Sequence, residues 1–192
     1  QNAMASAGIP TAAPTEYERD PTWLGAPFMV MPRCVGRVVT TNPPYLRVGW
    51  LADASVALQR RLMESFLAHL GAMHRLDPAS LDAAPLAASL PETVARWSEY
   101  LDWAADGGAV PSYLEGARDW CATHLPSSPP AAAVLWGDVQ LSNCVFADDG
   151  QVVALLDFEL AGTGPAEMDL GWFLALHDMT VVLAGGDLPG FG

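Results

Sequence analysis

The sequence contains no lysine: all nine of its basic residues are arginines, set against 22 aspartates and glutamates. The formal charge is −13 and the isoelectric point lies near 4.4. Nucleic acids and anionic membranes bind basic surfaces, so neither is expected to be a partner of this chain. An anionic small molecule remains compatible with the charge, because a bound metal ion or a few arginines can reverse the local field.

Cysteine and long apolar runs are also scarce. Cys34, Cys121 and Cys144 lie far apart without CxxC spacing, which indicates neither a disulfide framework nor a zinc site. No signal-peptide pattern opens the chain, and the most apolar late segment, residues 170–184, is too short and too polar to span a bilayer. These absences predict a soluble, cytoplasmic protein with free thiols.

The apolar share, 51% of 192 residues, is sufficient for a packed core in one domain or two small ones. Residues 1–22 begin with "QNAM", which resembles a tag remnant, and continue without periodicity, so we expect a loosely held segment. Residues 27–31 are a short apolar run closed by Pro32, which predicts a strand followed by a proline-broken connection.

Helical periodicity begins near Ser55, where apolar residues start to recur every three or four positions. This predicts an amphipathic helix capped by Asp53 or Ser55. Its apolar face would consist of Leu58, Leu62, Phe66, Leu70 and Met73. Two further helices are predicted, one from Pro91 to Gly107 and one over residues 111–124. We expect their tryptophans to fill the core between helices: Trp97, Trp103 and Trp120.

After Pro130 the pattern changes to short strands. "AAAVLW", "CVFA" and "QVVALLDF" are apolar runs, and the "DDG" turn between the last two predicts a β-hairpin. A glycine-rich turn, "AGTGPAE", leads to a final helix from about Met168. Helices followed by short strands predict an α+β fold.

Polar side chains cluster around this hairpin. If its turn pairs residue 147 with 151 or 152, Asn143 lies opposite Leu155 or Leu156, and Asp157 lies close to it. Asp138 is in the loop that precedes the hairpin. Each polar residue alone would suit a turn cap or a strand end. Together they provide oxygen ligands for Mg²⁺ and a carboxylate that can accept a hydroxyl proton, which indicates a metal–phosphate site.

The stretch "WGDVQLSN", followed by "VVALLDFELAGTGPAEMDLGWFLALH", resembles the aminoglycoside phosphotransferase-like family, which has a protein-kinase-like fold. The family pattern is His-Gly-Asp, four residues, Asn, a hairpin to Ile/Leu-Asp-Trp/Phe-Glu, and then Gly-x-Pro before Asp-Leu. "LGAPFMVMPRCVGRV" resembles its hinge strand, and "LAHLGAMHRLD" its first long C-lobe helix. The forms "WGD" and "DLGW" resemble the branch of kinase-like domains linked to acyl-CoA dehydrogenases.

The resemblance implies a role for each polar residue of the site. Asp138 would be the catalytic base, and Asn143 and Asp157 would be the Mg²⁺ ligands. Asp169 would brace the catalytic loop from the following helix. Trp136 stands where the family usually has a histidine that supports the loop backbone, and a buried aromatic ring could fill the same space.

The resemblance also implies the hinge contacts and the extent of the fold. The hinge backbone would meet the adenine of ATP at Met29, Val30, Met31 and Arg33. Glu159 would lie behind the metal ligands or on the substrate side. The family has an N-terminal lobe with a glycine-rich loop and a phosphate-binding lysine, and neither occurs here. We therefore expect a mainly helical C-lobe over residues 51–192, truncated at its C-terminal end, preceded by the hinge strand and a linker over residues 23–50, with the N-terminal lobe largely missing.

These expectations describe a phosphotransferase that moves the γ-phosphate of ATP to a hydroxyl of a small molecule, present as a C-lobe fragment that is inactive alone. Its partners would be the nucleotide and the hydroxylated substrate. The alternative is a non-catalytic, truncated kinase-like protein that acts through a partner chain or as a homodimer joined at the exposed hinge edge. A metal-dependent hydrolase with the same carboxylates is disfavoured, because the Asp-x4-Asn hairpin pattern is that of phosphoryl transfer in this fold.

Overall fold

The computed structural model describes residues 1–81, 89–128 and 131–191. Within these ranges the helices are α1 (Asn2–Ser6), α2 (Val56–His74), α3 (Leu90–Ala104), α4 (Ser112–Thr123) and α5 (Ala166–Ala184). The strands are β1 (Glu16–Glu18), β2 (Phe28–Val30), β3 (Ala133–Leu135), β4 (Cys144–Phe146), β5 (Val152–Leu155) and β6 (Gly162–Gly164). The predicted α+β class is confirmed. No helix in the described ranges has the length and apolarity needed to cross a membrane.

Helix α2 carries the largest share of the core. It begins after Ser55, whose hydroxyl accepts a hydrogen bond from the backbone N–H of Leu58 at 3.3 Å, so the predicted cap is confirmed. The predicted apolar face is buried at Leu62, Phe66, Leu70 and Met73. The ring of Phe66 lies 5.0 Å from that of Phe173 in α5 and 6.3 Å from that of Trp136. Full burial of such a side chain contributes roughly 1.5–3 kcal/mol, so these contacts hold α2, α5 and the loop after β3 together.

The predicted hairpin is formed by β4 and β5, which pair antiparallel with Cys144 opposite Leu155. A bulge interrupts the register between Val145 and Phe146. One step beyond the strands, the backbone N–H of Leu156 donates to the carbonyl of Asn143 at 2.8 Å. The register expected from the sequence is therefore confirmed, and it makes Asp157 the next residue after the partner of Asn143.

The N-terminal residues belong to the fold, and the prediction of a loosely held segment is wrong for them. Residues of "QNAM" contribute to α1, and Met4, Ile9 and Ala12 are buried. The backbone N–H of Leu155 donates to the carbonyl of Pro10 at 2.8 Å, which attaches this segment to the hairpin. Sequence periodicity could not reveal these contacts, because the buried side chains are isolated in the sequence and do not form one face of a long helix or strand.

The strand predicted over residues 27–31 is β2, and it pairs antiparallel with β1. Tyr17 lies opposite Met29 in this two-stranded sheet. Met29 and Val30 are 58% and 57% exposed, so the apolar run is a surface strand. Strand β1 was not predicted, because its sequence "EYE" lies within the aperiodic segment.

The predicted burial of the tryptophans in α3 and α4 is wrong. Trp97, Trp103 and Trp120 are 46%, 72% and 60% exposed. The two helices contact each other, and Arg118 of α4 donates to the carboxylate of Asp102 in α3 at 2.7 Å. Helical periodicity identifies an apolar face but does not say what covers it, and these rings lie outside the core around α2.

A third correction concerns "AGTGPAE", for which the sequence predicts only a turn. Its residues Gly162–Gly164 form β6, which pairs antiparallel with β3 so that Val134 lies opposite Thr163. The pairing depends on main-chain groups, and a Cβ on Gly164 would come within 2.9 Å of the side chain of Leu135. The absence of a side chain at Gly164 permits the close approach of the two strands.

Candidate active site

The loop between β3 and β4, residues 136–143, carries the predicted site. It bends at Gly137, which has a φ of +88°, a conformation that favours glycine. A Cβ at this position would collide with the carbonyl group of Leu160. The loop ends in a 3₁₀ turn, Leu141–Asn143, immediately before β4. Its path therefore depends on one glycine and on close contact with the segment after β5.

Asp138 is half-buried, and its carboxylate accepts hydrogen bonds from three side chains. Oδ2 accepts from Gln140 Nε2 at 2.6 Å and from Asn143 Nδ2 at 2.9 Å. Oδ1 accepts from the indole N–H of Trp172 in α5 at 2.9 Å. Asn143 also donates to the main-chain carbonyl of Asp138 at 3.1 Å. The structure thus brings together the first two of the three predicted polar residues.

Asp157 follows β5 in the left-handed region, with a φ of +58°. Its side chain is exposed at the surface. Asn143 uses its Nδ2 group toward Asp138, so its amide oxygen is the atom that remains for a ligand. Across the described ranges, no group of three or more His, Cys, Asp or Glu side chains has a metal-binding arrangement. A metal here would rely on one carboxylate, one amide oxygen and non-protein ligands.

Asp169, in the first turn of α5, connects this helix to the start of the loop. It is buried, and its two carboxylate oxygens accept the backbone N–H groups of Trp136 and Gly137, each at 2.9 Å. His74 Nε2, at the end of α2, lies 2.8 Å from Oδ2 of the same carboxylate. The Trp136 ring is fully buried, and its indole N–H donates to the carbonyl of Leu156, directly before Asp157, at 2.8 Å. One network therefore links α2, α5, the loop and the end of β5.

The remaining predicted residues are not joined to this network by any hydrogen bond between described side chains. Met29, Val30, Met31 and Arg33 are exposed in and after β2. Glu159 is exposed two positions after Asp157.

Three residues of the network were missed by sequence reasoning about the site: Gln140, Trp172 and His74. Gln140 and Trp172 lie inside the quoted motifs "VQLSN" and "DLGW", but neither residue type suggested a contact with Asp138. His74 lies in the quoted segment "LAHLGAMHRLD", and its contact with Asp169 spans 95 residues, so no local spacing indicates it.

Cys144, adjacent to Asn143, is fully buried in β4. Burial raises the pKa of its thiol well above the ordinary value, because the thiolate would lose its hydration. The thiol is therefore neutral at physiological pH, and it provides neither a nucleophile nor a metal ligand.

The sequence model described as the phosphotransferase enzyme family matches residues 1–187. Acyl-CoA dehydrogenase family member 11 of Gallus gallus is 29% identical over 176 residues, which are 90% of this chain and 21% of that protein. A crystal structure of a putative aminoglycoside phosphotransferase from Ralstonia eutropha has a TM-score of 0.71 at 18% identity, covering 97% of this chain and 64% of that one. Aminoglycoside phosphotransferase APH(3'')-Id from Streptomyces rimosus, in complex with ADP and streptomycin, has a TM-score of 0.54 at 14% identity, covering 96% and 72%.

This chain thus spans about a fifth of the dehydrogenase-family protein and about two thirds of the Ralstonia phosphotransferase. At these identities the structural likeness establishes the fold, the one that the resemblance implied. The match of the family model over nearly the whole chain establishes the family: the protein belongs to the phosphotransferase enzyme family.

Proposed function

We propose that this chain carries the catalytic and metal-binding residues of an ATP-dependent phosphotransferase whose acceptor is a hydroxyl of a small molecule. Asp138 is the proposed catalytic base, and Asn143 and Asp157 are the proposed Mg²⁺ ligands. The observation that supports this most directly is the 2.9 Å hydrogen bond from Asn143 to Asp138. The register of the hairpin after Asn143 places Asp157 directly after Leu156, the residue opposite Asn143. Family membership supports phosphoryl transfer in general.

The proposed ligands suit Mg²⁺ in their chemistry. Mg²⁺ prefers oxygen donors and usually takes only one or two from protein, with phosphate and water completing the shell. The exposed carboxylate of Asp157 and the free amide oxygen of Asn143 are donors of this kind. When bound, the ion would supply positive charge against the charge that develops on the transferred phosphoryl group.

Asp138 is the residue proposed to act on the acceptor. Its carboxylate would accept a hydrogen bond from the substrate hydroxyl, orient its oxygen toward the phosphorus, and take its proton as transfer proceeds. The contacts from Gln140, Asn143 and Trp172 fix the position of this carboxylate before substrate arrives. Such positioning matters because a displacement of about 1 Å can cost roughly 100-fold in rate.

The hinge and Glu159 complete the proposal. The backbone of β2 and of the residues after it is proposed to meet the adenine ring, because this segment resembles the hinge strand of the family; the residues are Met29, Val30, Met31 and Arg33. Glu159 is proposed to lie behind the metal ligands or to face the substrate, because it is exposed close to Asp157.

Calorimetric titration with ATP, in the presence and absence of Mg²⁺, tests the metal assignment. Asp157→Ala should weaken the affinity for Mg²⁺·ATP at least about tenfold and leave the affinity for ATP alone unchanged, because only the ion contacts this carboxylate. Asp178→Ala, at an exposed position of α5, is the matched control. Equal affinities for Mg²⁺·ATP in the two variants would contradict the assignment.

The role of Asp138 has a separate test. Asp138→Asn should bind Mg²⁺·ATP normally but lower the rate of phosphate release or transfer by about 10²–10⁴-fold, the usual contribution of a general base. A variant that binds and reacts like the parent would exclude Asp138 as the base.

A second function is favoured by the exposed apolar strand β2. Met29 and Val30 present an apolar edge at the surface, a feature that promotes strand pairing between chains. On this alternative the protein is non-catalytic and acts through self-association. Sedimentation velocity separates the two: a concentration-dependent dimer abolished by Val30→Lys, without Mg²⁺·ATP binding, would favour the alternative, and a monomer at all concentrations would exclude it.

A further inference from the structure

Trp172 makes a contact with Asp138 that no sequence motif predicts. Its side chain is 39% exposed on α5, yet its indole N–H donates to Asp138 Oδ1 at 2.9 Å, across 34 residues of sequence. The indole has one donor and no acceptor, and at an exposed position water alone could satisfy it. Here the donor is directed to the carboxylate at the centre of the site.

The contact is part of a regular arrangement between α5 and the loop. Asp169 receives the backbone N–H groups of Trp136 and Gly137, and Trp172, one turn later on the same helix face, holds the side chain of Asp138. Three successive loop residues are therefore held by two residues of α5. The helix is itself fixed in the core by Phe173, which packs on Phe66.

The hydrogen bonds to Asp138 leave little capacity for another donor. A carboxylate offers about four lone-pair positions, roughly two on each oxygen. Oδ2 already accepts from Gln140 and Asn143, while Oδ1 accepts from Trp172. One position remains, and it is on Oδ1, beside the indole ring.

We infer that Trp172 is a positioning residue for Asp138: its N–H fixes the carboxylate so that the single remaining lone-pair position of Oδ1 is the one that receives the acceptor hydroxyl. This inference rests on the proposed role of Asp138. It also makes the indole ring a wall of the acceptor site, because a hydroxyl bound to that position must approach alongside it.

The hydrogen bond itself can be tested without any substrate, by following the indole N–H resonances in two-dimensional ¹⁵N–¹H spectra. Trp172→Phe assigns the resonance by removing it. Asp138→Asn replaces a charged acceptor with a neutral one, so the Trp172 resonance should move upfield by several times the change caused by Asp178→Asn. In Trp172→Phe, the side-chain amide resonances of Asn143 and Gln140 should also shift, since the carboxylate they bind is no longer fixed. Absence of these shifts would overturn the inference.

The consequence for the reaction is tested with Mg²⁺·ATP and water as the acceptor, measured as phosphate release. Trp172→Phe should lower kcat by about tenfold or more with the KM for Mg²⁺·ATP unchanged, because the carboxylate is misplaced while the nucleotide site is intact. Trp103→Phe, at a fully separate exposed position of α3, is the control and should react like the parent. A kcat within about twofold of the parent would reject the role.

The proposed role of Asp138 and the positioning role of Trp172 are contradicted by different results. If Asp138→Asn leaves phosphate release unchanged, the proposed role of Asp138 fails, whatever the indole resonance does. If Asp138→Asn lowers the rate by about 10²–10⁴-fold but Trp172→Phe keeps a kcat within about twofold of the parent, only the positioning role of Trp172 fails.

Discussion

His74 Nε2 lies 2.8 Å from Asp169 Oδ2, joining the C-terminal end of α2 to the first turn of α5. The carboxylate is 1% exposed and the imidazole 12%, so the contact is inside the core. Asp169 receives two backbone N–H groups of the loop as well, so three segments, α2, α5 and the loop, meet at one carboxylate. Buried carboxylates are stable only when their oxygens are satisfied, which makes this residue a sensitive point of the fold.

Asp169→Asn should lower the free energy of unfolding by about 3 kcal/mol. An amide has only one acceptor oxygen, so in either orientation at least one backbone N–H, that of Trp136 or of Gly137, loses its partner in the core. Urea denaturation followed by tryptophan fluorescence measures the change. Asp178→Asn, on the exposed side of the same helix, should stay within about 0.5 kcal/mol of the parent. Equal loss in both variants would contradict a special role for Asp169.

Gly137→Ala should also destabilise the protein, by at least about 2 kcal/mol. A side chain is strained at a φ of +88°, and its Cβ would collide with the carbonyl of Leu160. Gly171→Ala is the matched control, because Gly171 lies within α5 with open space around it. That change should stabilise the helix by roughly 0.5–1 kcal/mol. Thermal unfolding of the two variants should therefore shift in opposite directions, and a shift in the same direction would refute the argument.

The parts of the site that the sequence predicts are those that depend on local geometry. The turn at "DDG" determines the hairpin register, and the register alone makes Asp157 a neighbour of Asn143. The cap at Ser55 and the buried face of α2 also follow from short-range spacing. In each case the interacting groups are a few residues apart, or are related by one turn.

The parts that could not be predicted depend on packing between distant segments. Trp172 and Asp138 are 34 residues apart, and His74 and Asp169 are 95 apart. Which side chain meets which in such pairs depends on how α2 and α5 pack, a choice that periodicity does not contain. The tryptophans of α3 and α4 show the same limit, since a regular apolar face predicted burial that the structure does not have. Short buried segments such as α1 carry no period at all.

Thiol reactivity should distinguish the three cysteines. Cys121 is exposed and Cys34 half-buried, whereas Cys144 is buried with a raised pKa. A disulfide reagent at pH 8 should therefore modify Cys121 and Cys34 in the native protein, and Cys144 only after unfolding in denaturant, because the thiolate is the reactive form. Cys144→Ala should leave the native reaction unchanged and remove one thiol from the denatured count. Rapid modification of Cys144 in the native state would show that the hairpin opens readily.

Stability at alkaline pH should report on Tyr45. Its ring is buried, and loss of hydration, together with the negative charge of Asp187, raises the pKa of its hydroxyl to about 12. The folded state then holds this proton more tightly than the unfolded state, so the contribution is complete below about pH 10 and is lost as the pH rises toward about 12. A shift of this size corresponds to roughly 2–3 kcal/mol. Because the chain has no lysine, the titration that usually dominates this pH range is absent. Urea denaturation at pH 9, 10 and 11 should show the decline in the parent and a smaller decline in Tyr45→Phe, and parallel declines in the two proteins would contradict the buried, neutral state of Tyr45.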